Sequence, residues 1–186
     1  MANDDAGCIM ADDMNLQTLQ AFEEVTNQLV TLLGGMDEAL INKKPADGGW
    51  SPGQIADHIR KSYASAETMD GGSESGDRSP NEKIELIKKI FADDTIRMKS
   101  PDAIIPTEKP LDKKRLIAGL QNRIEQMAAI IRTKDLSDIC TDYAIPQYGP
   151  FTRLEWAWFN IYHTDRHIRQ LNKVRIETLK RHIQNL

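Results

Sequence analysis

Apolar residues recur at helical spacing in the first part of this chain. From residue 13 to residue 33 they fall three or four positions apart, which predicts an amphipathic helix that ends near Gly34 and Gly35. Its apolar positions are Leu16, Leu19, Phe22, Val25, Leu29, Leu32 and Leu33. Residues 36–42 can add a short helix before the next turn. Residues 1–12 lack this pattern, and we predict that they form a disordered acidic tail.

Residues 51–69 carry a sharp signal for the start of a helix. Ser51 is a typical N-cap, Pro52 takes the first helical position, and Gln54 stands three residues after the cap. Together they form a capping box with an N-terminal proline. We therefore predict a second helix that runs to about Met69. The glycine-rich segment 71–76 that follows is typical of a flexible loop.

Three more helices are predicted in the rest of the chain. Residues 79–82 repeat the start signal, and a shorter helix follows, with Ile84, Ile87, Lys88 and Phe91 on its inner side. Asp112 is the predicted N-cap of a longer helix with an apolar stripe of Leu116, Leu120, Ile124, Met127 and Ile131. Thr152 and Glu155 form another capping box and begin a last helix that runs to about Arg181. The connections at 99–111 and 134–151 contain prolines and are predicted to be loops.

The predicted fold class is all-α. Four main helices and one or two short extra helices predict a four-helix bundle, in which residues 13–186 form a single domain. No alternation of apolar and polar residues is long enough to predict a strand. A chain of 186 residues can bury a substantial core without disulfides or structural metals. A bound metal would therefore be free to serve chemistry.

Composition and charge argue against several classes of protein. The net charge is −4, with both signs spread along the chain, whereas a nucleic-acid-binding protein usually carries a basic face. No apolar run approaches the roughly 18 residues that a membrane span needs. The N-terminal residues lack the basic and apolar regions of a signal peptide. The two cysteines, Cys8 and Cys140, form no repeated spacing, and we predict a cytoplasmic protein.

Three of the four histidines suggest a metal site. His163 and His167 are four residues apart, so one face of the last helix carries both imidazoles between apolar residues. His58 lies on the predicted second helix beside Ile55 and Ile59. Three imidazoles from two packed helices could bind one divalent ion and leave an open coordination position, as in catalytic zinc sites. The alternative is that they are core histidines whose nitrogens bond to neighbouring groups.

Two parts of the chain resemble the DinB-like metalloprotein superfamily. Residues 49–59, Gly-Trp-Ser-Pro-Gly-Gln-Ile-Ala-Asp-His-Ile, are similar to its Trp-Ser-hydrophobic-His segment. Residues 148–156 and the stretch from His163 through His167 to Gln170 are similar to its C-terminal His-x-x-x-His-x-x-Gln segment. Both parts occur in the right order at opposite ends of a chain of the right length. The resemblance therefore covers nearly the whole domain.

The resemblance implies a four-helix bundle that is often dimeric and that binds one divalent metal ion, zinc or nickel first among them. Carried over to this chain, the metal ligands are His58, His163 and His167. The superfamily includes bacillithiol transferases, mycothiol-dependent maleylpyruvate isomerase and proteins described as metal-dependent hydrolases. The implied partners are a small-molecule substrate, such as a low-molecular-weight thiol, and a second copy of the chain. Residues 70–112 match no part of the family that identifies a substrate.

A few other residues are weaker candidates. Gln170 shares the face of the two histidines and either orients a ligand or substrate or makes a buried polar contact. Tyr148 and Cys140 lie in a predicted loop that either covers the site or is solvated, and we favour solvation. Trp50 either packs against the helix start or stacks on a substrate, and we favour the first. The sequence identifies no carboxylate general base, since the Glu of a His-Glu-x-x-His motif is missing.

Two classes of function fit these observations. The first is a metalloenzyme in which the ion activates water, for hydrolysis, or a low-molecular-weight thiol, for transfer or isomerisation. The second is a non-catalytic helical module, metal-binding or metal-free, that acts in stress response or protein association. A stoichiometric metal with an exchangeable water would favour the first class.

Overall fold

The computed structural model describes residues 4–96 and 99–184, with side chains described from residue 13 to residue 177. Seven α-helices lie in these residues: α1 (Asp4–Gly34), α2 (Glu38–Asn42), α3 (Pro52–Ser62), α4 (Ser65–Asp70), α5 (Ile84–Ala92), α6 (Lys113–Thr133) and α7 (Arg153–Gln184). A short 3₁₀ helix spans Asp102–Ile104, and two short strands, β1 (Ser73–Glu74) and β2 (Ile139–Cys140), form an antiparallel pair. The predicted all-α class is confirmed.

Four helices, α1, α3, α6 and α7, enclose one apolar core. α1 packs against α6 and α7, and α3 packs against the same two helices, while α5 lies on α7. The side chains with no exposed surface include Phe22, Leu29, Ile55, Ile59, Tyr63, Leu120, Met127 and Leu171. They come from all four helices, so the stripes that the periodicity predicts meet in one place.

The first and last helices extend to the ends of the described chain. α1 begins at Asp4, inside the segment that the composition predicts to be disordered. The side chains of residues 4–12 lie outside the described residues, and the disorder of this segment stays a prediction. α1 ends at Gly34, as the glycine pair predicts. α7 continues to Gln184, three residues past the predicted end.

The predicted second helix is interrupted in its middle. α3 ends at Ser62 and α4 begins at Ser65, whereas the sequence predicts one helix to about Met69. At the break the Ser62 hydroxyl donates to the Ile59 carbonyl, and the Ala64 N–H bonds to the carbonyl of Lys61, three residues back. Tyr63 lies fully buried at this point, and its hydroxyl shares a hydrogen bond of 2.6 Å with Thr164 of α7. Contact with α7 therefore accompanies the break.

The glycine-rich segment 71–76 is held in place, and the prediction of a flexible loop is wrong. Its strand β1 pairs with β2, with Ser73 opposite Cys140. The Gly72 N–H donates to the Asp142 carboxylate at 2.9 Å, and a Cβ on Gly71 would lie 2.0 Å from the same carboxylate. A side chain at position 71 would displace the exposed Asp142 carboxylate from this contact. The pairing partner of Ser73 lies 67 residues later in the chain, so local sequence patterns do not show it.

The start of α5 differs from the prediction. The helix begins at Ile84 and has no side-chain cap. The hydroxyl of Ser79, which the start signal predicts to be the cap, bonds to the side chain of Asn81 instead. The Lys83 N–H is instead satisfied by the carboxylate of Glu155, at 2.9 Å, from the first turn of α7. Lys88 is exposed and does not lie on the inner side of the helix. Among the described residues, no helix has both the length and the apolar character that crossing a membrane requires.

Candidate metal centre

Capping boxes begin the two helices that carry the three histidines. At α3 the Ser51 N–H donates to Gln54 Oε1 (3.1 Å) and the Gln54 N–H donates to Ser51 Oγ (3.2 Å). At α7 the Thr152 N–H donates to Glu155 Oε2 (2.9 Å) and the Glu155 N–H donates to Thr152 Oγ1 (3.1 Å). These bonds match the predicted boxes. They fix where each helix begins, and so which face each later residue occupies.

The structure brings His58, His163 and His167 together. The Nε2 atoms of His58 and His163 are 3.1 Å apart, and those of His163 and His167 are 3.0 Å apart. One ring nitrogen from each of the three lies within 4.8 Å of the other two. All three side chains are buried, with exposed fractions of 3%, 7% and 8%. This group could hold a metal ion.

The outer nitrogen of each imidazole faces a hydrogen-bond acceptor. His58 Nδ1 lies 2.8 Å from the carbonyl oxygen of Ile104 and must donate to it, since a carbonyl only accepts. His167 Nδ1 lies 2.9 Å from Gln170 Oε1 and donates to it. His163 Nδ1 lies 3.4 Å from Ser62 Oγ, whose own proton is engaged by a main-chain carbonyl. The Nδ1 atoms of His58 and His167 therefore carry the proton, and Ser62 offers an acceptor for a proton on His163 Nδ1.

With His163 also protonated at Nδ1, the Nε2 lone pair of His163 faces those of His58 and His167. A neutral imidazole protonated at Nδ1 presents only a lone pair at Nε2, so two such atoms at about 3 Å repel each other. A divalent cation between them turns the repulsion into coordination. Three nitrogens bound to tetrahedral zinc at 2.0–2.1 Å would be about 3.3 Å apart, and the observed separations of 3.0 and 3.1 Å fit that spacing closely. The donor set fits a metal.

Burial keeps the imidazoles neutral. Removal from water lowers the pKa of His163 well below its ordinary value, and the neighbouring His167 and His58 lower it further. Burial also lowers the pKa of His167, to about 3, and that of His58. Since a metal binds only the deprotonated imidazole, the three histidines are in the form that can bind a metal at neutral pH.

Aromatic side chains surround the three histidines. The ring centroid of Trp50 lies 4.8 Å from that of His58, and those of Phe91 and Phe159 lie 5.4 and 5.9 Å from that of His163. Trp50 therefore packs on a ligand residue, in addition to preceding the cap of α3. Such an apolar surround limits solvent access and strengthens electrostatic interactions at the site.

A cavity of about 250 Å³ lies next to the histidines. Trp50 and Gln170 line it, and each of them contacts a ligand histidine. Charged side chains of both signs complete the lining, namely Asp47, Asp94, Arg166, Lys173 and Glu177. Lys173 pairs with Asp94 at 2.8 Å. The cavity therefore lies one residue away from the histidines, behind Trp50 and Gln170.

The weaker candidates divide into two groups. Gln170 hydrogen-bonds to His167, which is the contact expected if it orients a candidate metal ligand. Tyr148 makes none of its described hydrogen bonds or ring contacts with the three histidines; its carbonyl accepts from Lys83 at 2.8 Å. Cys140 is fully buried, which raises the pKa of its thiol to about 11, so the prediction of a solvated loop position is wrong for this residue. A thiol of this kind is inert.

Residues on the flanks of the histidine face tie α5 to α7. Arg166 donates to the carbonyls of Asp93 (2.8 Å) and Ile96 (2.7 Å), at the end of α5. Arg169 donates to the carbonyl of Phe91 at 2.7 Å, and its guanidinium also pairs with Asp165. A guanidinium at a helix C-terminus interacts favourably with the helix dipole. These contacts hold Phe91 against the site.

Sequence reasoning missed one contact of the site altogether. The acceptor for His58 is the main-chain carbonyl of Ile104, and every residue has such a carbonyl, so no residue type marks it. Asp57 was likewise passed over, although its side chain is buried beside a candidate ligand. Burial alone would raise the pKa of Asp57, but hydrogen bonds from Arg60, the Thr107 N–H and Lys61 lower it overall.

Comparisons with known proteins agree with the fold. The sequence model of the DinB superfamily matches residues 21–171, which is most of the chain. The chain belongs to the DinB superfamily. It is also similar to a Bacillus subtilis (strain 168) protein called "Uncharacterized protein YuaE", with 23% identity over 158 residues that cover 84% of this chain and 96% of that one. No solved structure matches the chain.

Proposed function

We propose that this protein binds one divalent metal ion, zinc or nickel, through Nε2 of His58, His163 and His167. The observation that carries the proposal is the contact of His163 Nε2 with Nε2 of His58 and of His167, at 3.1 and 3.0 Å. An outer hydrogen-bond acceptor lies beside the Nδ1 atom of each ring, at 2.8 Å for His58, 2.9 Å for His167 and 3.4 Å for His163. A set of core histidines that only satisfied one another would place a proton between neighbouring Nε2 atoms. The outer acceptors favour the opposite arrangement, with the proton on Nδ1 and the Nε2 lone pairs available to an ion.

We further propose that the protein is an enzyme. Structural zinc sites have four protein ligands, whereas catalytic sites have three and keep one position open. Among the described residues, no cysteine, aspartate or glutamate joins the group of three histidines. Three protein ligands would leave an ion a further coordination position, and the cavity that Trp50 and Gln170 line is the nearest space described beside these histidines. When bound, the ion would supply Lewis acidity and lower the pKa of a coordinated water or thiol.

The side chains around the cavity define what they can contribute. Trp50, Phe91 and Phe159 limit access of bulk water. Gln170 holds the ring of His167 and has no proton-transfer chemistry of its own. Lys173 and Asp94 offer charges of both signs to a polar substrate. The cavity volume, about 250 Å³, suits a small molecule or the reactive end of a larger one.

Two reactions remain candidates, hydrolysis and thiol transfer. A thiol ionises near pH 8.5 without help, whereas free water ionises near 15.7. The described carboxylates that line the cavity lie outside the histidine cluster, so no general base stands beside the ligands. This favours a nucleophile that loses its proton easily, and low-molecular-weight thiols are the first substrates to test.

A cytoplasmic location and a homodimer are separate proposals, because neither follows from the chemistry of this site.

Elemental analysis of the purified protein tests the metal proposal. We expect one equivalent of zinc or nickel per chain. A panel of low-molecular-weight thiols with electrophilic acceptors, and a panel of ester and amide substrates, should then be assayed with and without a chelator. Activity that is lost with chelator and restored by the metal supports the enzyme. A stoichiometric metal without any chelator-sensitive activity would support a non-catalytic metal-binding module, and a metal-free protein would contradict both.

A further inference from the structure

Four side chains of α3 bond to the main chain of residues 101–107, which we call the strap. Gln54 Nε2 donates to the Thr107 carbonyl at 3.1 Å, and Lys61 Nζ donates to the Ile105 carbonyl at 2.7 Å. His58 Nδ1 donates to the Ile104 carbonyl at 2.8 Å. Asp57 Oδ2 accepts the Thr107 N–H at 3.1 Å. The strap therefore follows α3 through side-chain contacts to its backbone.

Asp57 is the only acidic member of this set, and it is almost fully buried. Its exposed fraction is 2%, and its two oxygens accept from different partners. Oδ1 accepts a hydrogen bond from Arg60 Nη2 at 2.7 Å. Oδ2 accepts one from the Thr107 N–H and also lies 3.2 Å from Lys61 Nζ. A buried carboxylate whose lone pairs are all engaged is fixed in position. It can hold the strap at a set distance from α3.

The position of the strap decides the orientation of His58. The ring can rotate about its side-chain bonds, and the bond from Nδ1 to the Ile104 carbonyl selects one orientation and one tautomer. The Ile104 carbonyl belongs to the backbone, so its location depends on what holds the strap. Thr107 follows three residues later, after the buried Pro106, and is tied to Asp57.

We propose that Asp57 is a positioning residue for the metal ligand His58 and acts through Thr107 and the strap carbonyl of Ile104. This rests on the proposed metal site. Asp57 does not touch the ion or the cavity; its effect is to place the Nε2 lone pair of His58 opposite those of His163 and His167. A simpler role is stabilisation of α3 by the ion pairs of Asp57 with Arg60 and Lys61. The two roles predict different results.

The test compares Asp57→Asn with Asp102→Asn. Asp102 lies on the same strap and is exposed, so the control makes the same chemical change without loss of a buried bond. Zinc affinity is measured by competition with a chelator. In metal-free protein, ¹⁵N NMR of the imidazoles reports the tautomer of His58. We expect Asp57→Asn to weaken zinc binding by about 10–100-fold, as for other residues that orient metal ligands, and to lose the single Nδ1–H tautomer. Asp102→Asn should match the wild type within about twofold.

The outcomes separate this inference from the proposed function. If wild-type protein takes up no zinc, the metal site is wrong, and the tautomer of His58 alone decides the positioning role. If wild-type protein binds zinc and Asp57→Asn matches Asp102→Asn in both measurements, the positioning role is wrong. Reduced thermal stability with unchanged zinc affinity and tautomer would assign Asp57 to the stabilisation of α3.

A second variant keeps the test decisive if Asp57→Asn does not fold. Lys61→Met removes the bond to the Ile105 carbonyl and one ion pair of Asp57, and it leaves the bond between Asp57 and the Thr107 N–H in place. Since one of the bonds to the strap is lost, we expect zinc affinity to fall by about threefold to tenfold, less than for Asp57. Circular dichroism confirms that this variant is folded. Wild-type affinity together with a wild-type His58 tautomer in folded Lys61→Met would contradict a strap that orients the ligand.

Discussion

The Nε2 atoms of His58 and His163 face each other at 3.1 Å, although 105 positions separate the two residues in the chain. Ile104 and Ser62 offer acceptors for a proton on the opposite nitrogen of the two rings. Two Nε2 lone pairs at this distance would repel each other unless a cation lay between them. The contact is compatible with a bound metal ion, and the structure around it allows direct tests.

Replacement of His163 by alanine should abolish metal binding and leave the fold intact. His163 is the central member of the cluster, since its Nε2 lies within 3.1 Å of both other ligands. A domain of this size does not depend on one metal for its core. Metal content and far-UV circular dichroism check both parts.

The matched control is His182→Gln, because α7 places residue 182 about 22 Å along the helix from His167. It should keep the full metal content. Full metal content in His163→Ala would mean that the ligand set is wrong, and unfolding of that variant would mean that the metal is structural.

The metal-free protein should lose stability as the pH falls below about 6.5. Unfolded histidines bind a proton near that pH, whereas burial lowers the pKa of His167 to about 3. Between these values the unfolded chain holds more protons, so the free energy of unfolding decreases with falling pH, by up to about 1.4 kcal/mol per pH unit for each buried histidine. Urea denaturation between pH 8 and pH 5 measures this. His167→Gln should flatten the dependence; an unchanged slope would mean that His167 titrates normally in the folded state.

Replacement of Gln170 by leucine should weaken metal binding by about 10–100-fold. The substitution removes the acceptor for His167 Nδ1, now 2.9 Å away, and so frees the ring and its tautomer. Gln170→Glu retains an acceptor at the same place and should bind the metal at least as tightly as the wild type. Chelator competition measures both affinities. Equal losses in the two variants would show that the acceptor does not matter.

Replacement of Glu155 by glutamine should destabilise the fold by about 3 kcal/mol, because it leaves Arg78 without its buried partner. The carboxylate is fully buried and bonds to Arg78 at 2.6 Å, to the Lys83 N–H and to the Thr152 N–H. Urea denaturation measures the loss.

Glu67→Gln is the control, since Glu67 is 71% exposed in its pair with Arg123; its cost should stay below about 1 kcal/mol. Similar midpoints for the two variants would contradict the role of Glu155 as the link between α5 and α7.

The chain should form a dimer in solution. The prediction rests on the resemblance to the superfamily, and Leu16 of α1 offers an apolar side chain that is 53% exposed. α1 also lines an apolar groove with α7, at Met14, Leu154 and Trp158. Light scattering should give twice the chain mass of 21.0 kDa at micromolar concentration. Leu16→Glu should shift the mass toward the monomer, while Lys109→Glu, a charge change at another exposed position, should not. A wild-type monomer would contradict the prediction.

Local sequence patterns predicted most of the helices because helix formation depends on near neighbours. The capping boxes at Ser51 and Thr152 are satisfied by residues three positions away, and both appear in the structure. Asp112 likewise caps α6 by accepting the Arg115 N–H at 2.8 Å. The start of α5 could not be predicted in this way, because its N-terminal N–H is satisfied by Glu155, 72 positions later.

The sequence by itself determined the three candidate histidines and the helix faces that carry them. Spacing of four residues places His163 and His167 together on any helix, and the cap at Ser51 sets the face of His58. Only the tertiary structure decided that α3 and α7 bring those faces within 3.1 Å. It also decided which nitrogen of His58 faces the other two histidines, because Nδ1 bonds to a backbone carbonyl of the strap. Helical periodicity in the sequence shows which residues share a helix face. The orientation of a histidine ring depends instead on contacts between segments that are far apart in the chain.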